Sequence, residues 1–139
     1  MYTLGFIFDH TKTSVLLIHK NRPDWQKGKV NGIGGHIEKG EEPIDSFVRE
    51  VREETGIELN TTHIQLVGYI QSPESLVHVY TTLYDGEKNT VASRTDEKVA
   101  WFPRAELPPN IMSNLSWLIP LSLDKLQDET LQTTTITYI

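Results

Sequence analysis

The segment from residue 35 to residue 57, GHIEKGEEPIDSFVREVREETGI, constrains the fold more than any other part of the chain. Pro43 has a fixed φ and no amide hydrogen, so it suits the first turn of a helix. Glu41 and Glu42 then lie at the positive end of the helix dipole. Gly56 readily adopts the left-handed conformation that ends a helix. We therefore predict a helix that begins near residue 42 and is closed by Gly56.

The predicted helix has two chemically different faces. One is an apolar stripe at positions i, i+3, i+4 and i+7, which must face a core: Ile44, Phe47, Val48 and Val51. The other carries carboxylates at i, i+3 and i+4: Glu50, Glu53 and Glu54. The pattern predicts a helix that packs by one side and presents a cluster of acids on another.

The acidic face has two interpretations. Like charges at this spacing repel each other by about 0.2–0.5 kcal/mol per pair, so a cluster of them suits a bound cation. Mg²⁺ takes oxygen ligands and binds through a few carboxylates together with substrate phosphates. Arg49 adjoins this face and is expected to orient a glutamate through a bidentate ion pair. The alternative is a solvated charged face without a ligand, which is common on helices.

The spacing of particular residues separates these interpretations. Five residues lie between Gly35 and Glu41, and seven more precede the trio Arg49-Glu50-Val51. One residue follows before Glu53-Glu54, and one more before Gly56-Ile57. This pattern resembles the signature box of the Nudix hydrolases at every fixed position, which makes it a specific signal. The resemblance favours the metal-binding interpretation.

The resemblance to Nudix hydrolases implies a chemistry and a set of roles. Members of that family hydrolyse a nucleoside diphosphate linked to a further moiety, using Mg²⁺ or Mn²⁺. Carried over position by position, Glu50, Glu53 and Glu54 are the expected metal ligands or catalytic base. The base is expected to be Glu53 or Glu50, with Glu54 chiefly a ligand. The backbone carbonyl of Gly34 is a further expected ligand, and Arg49 is expected to orient the carboxylates.

A carboxylate from outside the helix often completes the metal site in this family. The stretch RTDEKVAWF, residues 94–102, carries Asp96 and Glu97 just before a predicted strand, where relatives place such a residue. The resemblance favours Glu97 as this ligand. The alternative is that Glu97 is a solvated loop acid.

Two residues near the box are candidates for substrate contact. Residues 29–41 resemble the corresponding stretch of the MutT-type enzymes that hydrolyse oxidised purine triphosphates, where an asparagine at the position of Asn31 bonds the base. An amide suits that role because it offers both a donor and an acceptor. Alternatively, Asn31 caps a turn beside Gly32. His36 follows the glycine pair and is placed either to contact a phosphate or to lie on the surface.

Two further candidates lie in SNLSWLIPL, residues 113–121, which resembles a tryptophan-proline helix that borders the base pocket in such relatives. Trp117 either stacks on a base or belongs to a core. Ser113 and Asn114 stand where two aspartates read the purine in those relatives. The resemblance therefore implies a nucleotide pocket that includes Asn114 and Trp117, without implying specificity for 8-oxoguanine.

Composition narrows the class of protein. The 139 residues suit one domain, 1–139, in which the box spans residues 35–57. The net charge of −6, without a long basic run, argues against a nucleic-acid polymer as partner. Cysteine is absent, and no stretch reaches the roughly 18 apolar residues of a membrane span. We expect a cytoplasmic protein that binds a small nucleotide, without a membrane or nucleic acid as partner.

The rest of the chain alternates strand-like and helical patterns. The predicted strands are residues 2–9, 14–20, 30–34, 64–71, 76–84 and 98–102, and residues 113–127 form a second helix with Pro120 in its first turns. The tail, residues 131–139, is either a last edge strand or a frayed end. Its edge leaves a monomer and a homodimer both open. We predict an α/β fold (α+β), an α/β/α sandwich with a mixed central β-sheet, as the resemblance also implies.

These observations predict a metal-dependent enzyme that cuts a (deoxy)nucleoside triphosphate, including a modified purine nucleotide, to the monophosphate and pyrophosphate. The expected cofactor is Mg²⁺ or Mn²⁺. The alternatives are hydrolysis of another nucleoside diphosphate derivative, such as ADP-ribose or a dinucleoside polyphosphate, and a domain of this fold that binds nucleotide without turnover.

Overall fold

The computed structural model describes residues 1–139, which form two helices and eight strands. The helices are α1, Pro43–Thr55, and α2, Leu115–Gln127. The strands are β1 Tyr2–Asp9, β2 Ser14–His19, β3 Val30–Asn31, β4 Ile33–His36, β5 Gln65–Gln71, β6 Leu76–Tyr84, β7 Val99–Pro103 and β8 Thr134–Thr137. Neither helix has the length and apolar character that crossing a membrane requires.

All eight strands belong to one mixed sheet. Its main path runs β3-β2-β1-β6-β5-β8, while β4 pairs with β1 and β7 pairs with β2 beside that path. The β1–β6 and β5–β8 pairs are parallel, and the remaining pairs are antiparallel. The predicted α/β class with a mixed central sheet is therefore confirmed.

Strand β1 shows how one sheet supplies two cores, because successive side chains of a strand point to opposite faces. Leu4, Phe6 and Phe8 join a buried cluster with α2. Ile7 joins a second buried cluster with α1. The helices therefore cover opposite faces of the sheet, which gives the predicted α/β/α sandwich.

Helix α1 follows its sequence prediction closely. It runs from Pro43 to Thr55 and is capped by Gly56, whose φ of 78° is left-handed. Phe47 and Val51 are fully buried, as the apolar stripe predicts. The Phe47 ring lies where a side chain on Gly5 would stand, so the glycine lets the helix approach β1 closely. This contact fixes the height of α1 above the sheet.

Two predicted elements differ from the structure. The single strand expected over residues 30–34 is divided into β3 and β4, because β3 pairs with β2 and β4 pairs with β1. Helix α2 begins at Leu115, and Pro120 falls in its second turn. Proline removes the bond to the carbonyl four residues earlier, that of Ser116. Both residues are exposed, so water can serve that carbonyl.

The tail forms an edge strand, which settles the alternative left open by its sequence. Strand β8 pairs in parallel with β5 from Gly68↔Thr134 to Gln71↔Thr137. The Tyr138 amide continues the ladder by donating to the Gln71 carbonyl at 2.8 Å. The main chain of Thr134 occupies the space of a side chain on Gly68, so this pairing needs glycine there.

The turn between β1 and β2 is held by the buried carboxylate of Asp9. Its Oδ1 accepts the amides of Thr13 and Ser14 at 3.0 Å each. Its Oδ2 accepts the Thr11 hydroxyl at 2.8 Å and lies 3.2 Å from Lys88 Nζ. Burial alone raises the pKa of Asp9, but these donors outweigh it and lower the pKa from 3.8 to about 2.

The Asp9→Asn variant tests this interaction through its pH dependence. The depressed pKa means that the ionised carboxylate stabilises the fold above about pH 4, and that this contribution is lost as pH falls through about 2. We expect the variant to lose about 2 kcal/mol of unfolding free energy at pH 7 and progressively less below pH 4. Urea unfolding measures both values. Asp85→Asn, in an exposed turn, is the control, and an equal loss in both variants would contradict the role of Asp9.

Candidate active site

Strand β4 and helix α1 bring the glycine pair against the acidic face of the helix. The Glu50 carboxylate occupies the space that a side chain on Gly35 would need. The Thr3 carbonyl on β1 occupies the corresponding space at Gly34. Both glycines therefore allow a close contact because they lack a side chain. Gly34 leaves room for the neighbouring strand β1, and Gly35 leaves room for the catalytic candidate Glu50.

Arg49 organises the carboxylates around this contact. Its Nε and Nη2 bond the two Glu41 oxygens at 2.8 and 3.0 Å, which is a bidentate pair. Its Nη1 lies 3.1 Å from Glu50 Oε1 and 3.3 Å from Glu53 Oε2. Its Nη2 also donates to the His36 carbonyl at 3.1 Å. One guanidinium therefore ties α1 to the loop before it and to β4, with Glu50 and Glu53 on its remaining side.

The Arg49–Glu41 pair is a permanently charged anchor. The hydrogen bonds from Arg49 lower the pKa of Glu41 to about 2. The same pair raises the pKa of Arg49 above its ordinary range. The anchor therefore keeps both charges at neutral pH.

Glu50 is harder to ionise than an ordinary glutamate. Burial raises its pKa to about 6, Arg49 opposes that rise, and the charges of Glu53 and Glu54 add to it. Burial also raises the pKa of Glu54, and a bond from the Thr95 hydroxyl at 2.9 Å opposes this. The side chain of Glu53 is about half exposed, at 53%. A cation among these carboxylates would relieve both the desolvation and the mutual repulsion.

The three box glutamates suit a hard cation by chemistry but do not form a closed cage. No three acidic or histidine side chains converge closely enough to hold an ion by themselves. Mg²⁺ usually keeps several waters and takes further ligands from substrate phosphates, so an open set of carboxylates fits it. The metal roles of Glu50, Glu53, Glu54 and Gly34 stay predictions.

Glu97 lies beside this group but has its own partners. It is almost fully buried, and Oε1 pairs with Lys20 Nζ at 3.0 Å. Oε2 accepts the amides of Asn21 at 2.6 Å and Arg22 at 3.2 Å. Burial alone raises the pKa of Glu97, but these donors outweigh it and lower the pKa. The carboxylate is thus neither solvated nor free, and its role as a metal ligand stays a prediction.

The candidates for substrate contact fall into two places. Asn31 on β3 donates to Gln26 Oε1 at 3.0 Å and accepts the Gly32 amide at 2.8 Å. Its neighbour Val30 accepts the Met112 amide at 2.8 Å, so the segment leading into α2 lies beside β3. Asn114 is in that segment. The structure therefore brings Asn31 close to the start of α2.

Asn114 and Trp117 each show a feature that a purely structural role does not explain. Asn114 precedes α2 without capping it, and its buried Oδ1 has no partner. Trp117 is 37% exposed, so it is not part of the core. His36 lies apart from them, on β4, with Nδ1 2.9 Å from the Ile37 carbonyl and its ring edge-on to Tyr2. Their contacts with substrate stay predictions.

Several residues that bond the acidic side chains of the site could not be identified from the sequence. The fixed spacing marked Glu41, but nothing in the sequence showed that Arg49 binds it. Lys20 and Thr95 carry no local pattern because their partners, Glu97 and Glu54, lie 77 and 41 residues away. Only a comparison of many related sequences, in which such pairs vary together, would have signalled them.

A surface cleft lies elsewhere on the molecule. It has a volume of about 840 Å³ and is lined by residues that include His10, His63 and Tyr84. None of the predicted site residues lines it. The candidate site therefore lies outside this cleft, beside β4 and α1.

Comparison with known proteins is consistent with this geometry. A family model described as the NUDIX domain matches residues 2–120. An oxidized purine nucleoside triphosphate hydrolase from Mus musculus is 31% identical in an alignment 132 residues long that covers 90% of this chain and 80% of that protein.

Two solved structures share the fold. The mutator MutT protein of Bacillus halodurans superposes with a TM-score of 0.67 at 23% identity, over 99% of this chain and 88% of that one. The NUDIX domain of Shewanella oneidensis NrtR, complexed with ADP ribose, gives a TM-score of 0.73 at 18% identity, over 90% and 86%. At these identities the likeness concerns the fold alone.

The Gly35→Ala variant tests the position of Glu50. The added methyl group must displace the Glu50 carboxylate, which is the free end of a flexible side chain, so we expect a folded protein. We expect this displacement of the Glu50 carboxylate to lower kcat by about ten- to a hundredfold. Gly34→Ala is the matched comparison, because its methyl meets the main chain of Thr3 and should lower Tm instead. Gly35→Ala with full activity would show that Glu50 does not act from this position.

Proposed function

Because the chain belongs to the NUDIX domain family and is a Nudix pyrophosphohydrolase, we propose that it hydrolyses a (deoxy)nucleoside triphosphate to the monophosphate and pyrophosphate. The observation that carries this proposal is the largely buried Glu50 carboxylate, held between Gly35 and Arg49 beside two further glutamates. The relative from Mus musculus is described as acting on oxidized purine nucleoside triphosphates. A modified purine nucleotide is accordingly the first substrate to test.

Members of this family generally use a divalent metal, and we propose Mg²⁺ or Mn²⁺ for this chain. Glu50, Glu53 and Glu54 would hold it, with the Gly34 carbonyl and Glu97 as further candidate ligands. When bound, such an ion neutralises phosphate charge and lowers the pKa of a coordinated water. The raised pKa values of Glu50 and Glu54 support this assignment, because a bound cation stabilises both ionised forms.

Within the proposed mechanism the protein's own side chains move the proton and keep the geometry. Glu50, whose pKa burial raises to about 6 in the metal-free protein, is one candidate base for the attacking water. Glu53, its half-exposed neighbour, is the other candidate base. Arg49 keeps both carboxylates oriented through its Nη1, while its other nitrogens stay bound to Glu41.

The nucleoside is proposed to lie beside β3 and the start of α2. Asn31 and Asn114 supply amides for the base edge, and the unpartnered Oδ1 of Asn114 is an acceptor ready for a ligand donor. Trp117 supplies an exposed aromatic face. His36, next to the glycine pair, is the candidate for a phosphate contact.

A substrate panel tests this proposal. Canonical, oxidised and methylated nucleoside triphosphates, ADP-ribose and dinucleoside polyphosphates are incubated with Mg²⁺ and then Mn²⁺, and the products are separated. We expect a triphosphate to give monophosphate and pyrophosphate, and Glu53→Gln to lower kcat by about a hundredfold or more. That variant also controls for a contaminating phosphatase. If ADP-ribose is the preferred substrate, the proposed triphosphate substrate is wrong. If nucleotides bind but are not hydrolysed, the protein is a nucleotide-binding domain.

The Trp117→Ala variant tests the proposed nucleoside position. Because Trp117 is 37% exposed, its loss should lower Tm less than the loss of a fully buried aromatic such as Phe47. Loss of a base-stacking face should raise KM by about tenfold with little change in kcat. Tyr138→Ala removes another exposed aromatic, at the far edge of the sheet, and should alter neither value. A collapse of Tm in Trp117→Ala would show that the side chain stabilises the core instead.

A further inference from the structure

The segment of residues 92–97, here called the clasp, contacts the carboxyl end of α1. The Ala92 amide donates to the Thr55 carbonyl at 3.4 Å, and the Arg94 amide donates to the Glu54 carbonyl at 3.1 Å. Carbonyls in the last turn of a helix have no donor within the helix. The clasp supplies those donors, so it is attached to the turn of α1 that carries Glu54.

Within the clasp, Thr95 reaches the Glu54 side chain. Its hydroxyl donates to Glu54 Oε2 at 2.9 Å and accepts the Glu97 amide at 3.1 Å. A hydroxyl has a single hydrogen, and the other acceptor nearby, the Glu97 carbonyl, is farther away at 3.4 Å. The charged and closer acceptor is favoured, so the hydroxyl is directed at Glu54.

The other end of the clasp holds the loop of residues 20–26. Both oxygens of the buried Glu97 are engaged by that loop, through Lys20 Nζ and the amides of Asn21 and Arg22. Gln26, at the end of the loop, accepts from Asn31 Nδ2 at 3.0 Å. A continuous chain of hydrogen bonds and one short segment of backbone thus joins Glu54 to Asn31.

We propose that Thr95 is a positioning residue: it orients Glu54 for a divalent cation and couples that site to the loop of residues 20–26. This inference rests on the proposed function in one respect, namely that Glu54 is a cation ligand. Thr95 itself is exposed and touches no substrate in this scheme. A partner outside the ligand set typically affects metal affinity, because it restricts the orientations of the ligand it bonds.

The first test measures metal affinity without substrate. Mn²⁺ is titrated calorimetrically into the full chain carrying Thr95→Val, which removes the hydroxyl but keeps the shape. We expect a Kd about tenfold weaker than wild type, with Tm nearly unchanged. Thr95→Ser keeps the hydroxyl and should restore the wild-type Kd. Thr130→Val, which removes an exposed hydroxyl bonded to Asp128, should not change it.

The second test measures the coupling. Hydrogen exchange is followed by mass spectrometry in the peptide that contains the amides of Asn21 and Arg22, with and without saturating Mn²⁺. We expect Mn²⁺ to slow exchange there in wild type and in Thr95→Ser, and this slowing to be lost in Thr95→Val. Slowing that persists in Thr95→Val would overturn the coupling, since it would then reach the loop without Thr95.

The outcomes separate this inference from the proposed function. If Thr95→Val binds Mn²⁺ as tightly as wild type, the positioning role is wrong, whatever the substrate panel shows. If the variant binds more weakly but no triphosphate is hydrolysed, the positioning role stands and the proposed substrate is wrong. If the wild-type chain does not bind Mn²⁺ without nucleotide, then Glu54 does not hold a cation in the free protein, and the inference is overturned.

Discussion

The position of one largely buried carboxylate, Glu50 against Gly35, is the constraint on which the rest of the site depends. A charged group at such a depth is unfavourable unless it is paired, and burial raises its pKa accordingly. Arg49 offsets part of this penalty and is in turn kept in place by Glu41. The glycine on β4, the arginine on α1 and the loop acid before it are therefore parts of a single arrangement. Together they place the Glu50 charge where little water can reach it, so each of them is needed to offset the cost of burying that charge.

Helix α1 serves both packing and chemistry because its two faces are separated around its circumference. Phe47 packs over Gly5 and Val51 joins the same buried cluster, and these contacts set the distance and rotation of the helix. Once that rotation is set, Glu50 must face β4, while Glu53 and Glu54 lie along the same edge. The repulsion among the three acids is a stability cost that a cation would remove. The apolar contacts therefore hold the helix in place despite the repulsion among its acidic side chains.

Much of this could be predicted from local sequence, and the reasons for the exceptions are physical. The start of α1 at Pro43, its left-handed cap at Gly56 and its buried stripe follow from positions one or two turns apart. The division of the strand over residues 30–34 does not, because it arises from pairing with two different strands. The environment of Trp117 was also undecided, since a tryptophan on an apolar helix suits a core or a pocket equally well. The orientation of α2 on the sheet leaves it partly exposed.

The sequence by itself determined the acidic helix, its glycine-flanked box and hence the family and chemistry, because helical periodicity places residues three and four apart on one face. Only the tertiary structure decided which partners those acids have. Arg49 clamps Glu41, Thr95 bonds Glu54, and Glu97 binds the loop after β2. The last two contacts join residues more than 40 positions apart. They depend on strand order and on how the helix packs, which no local pattern encodes.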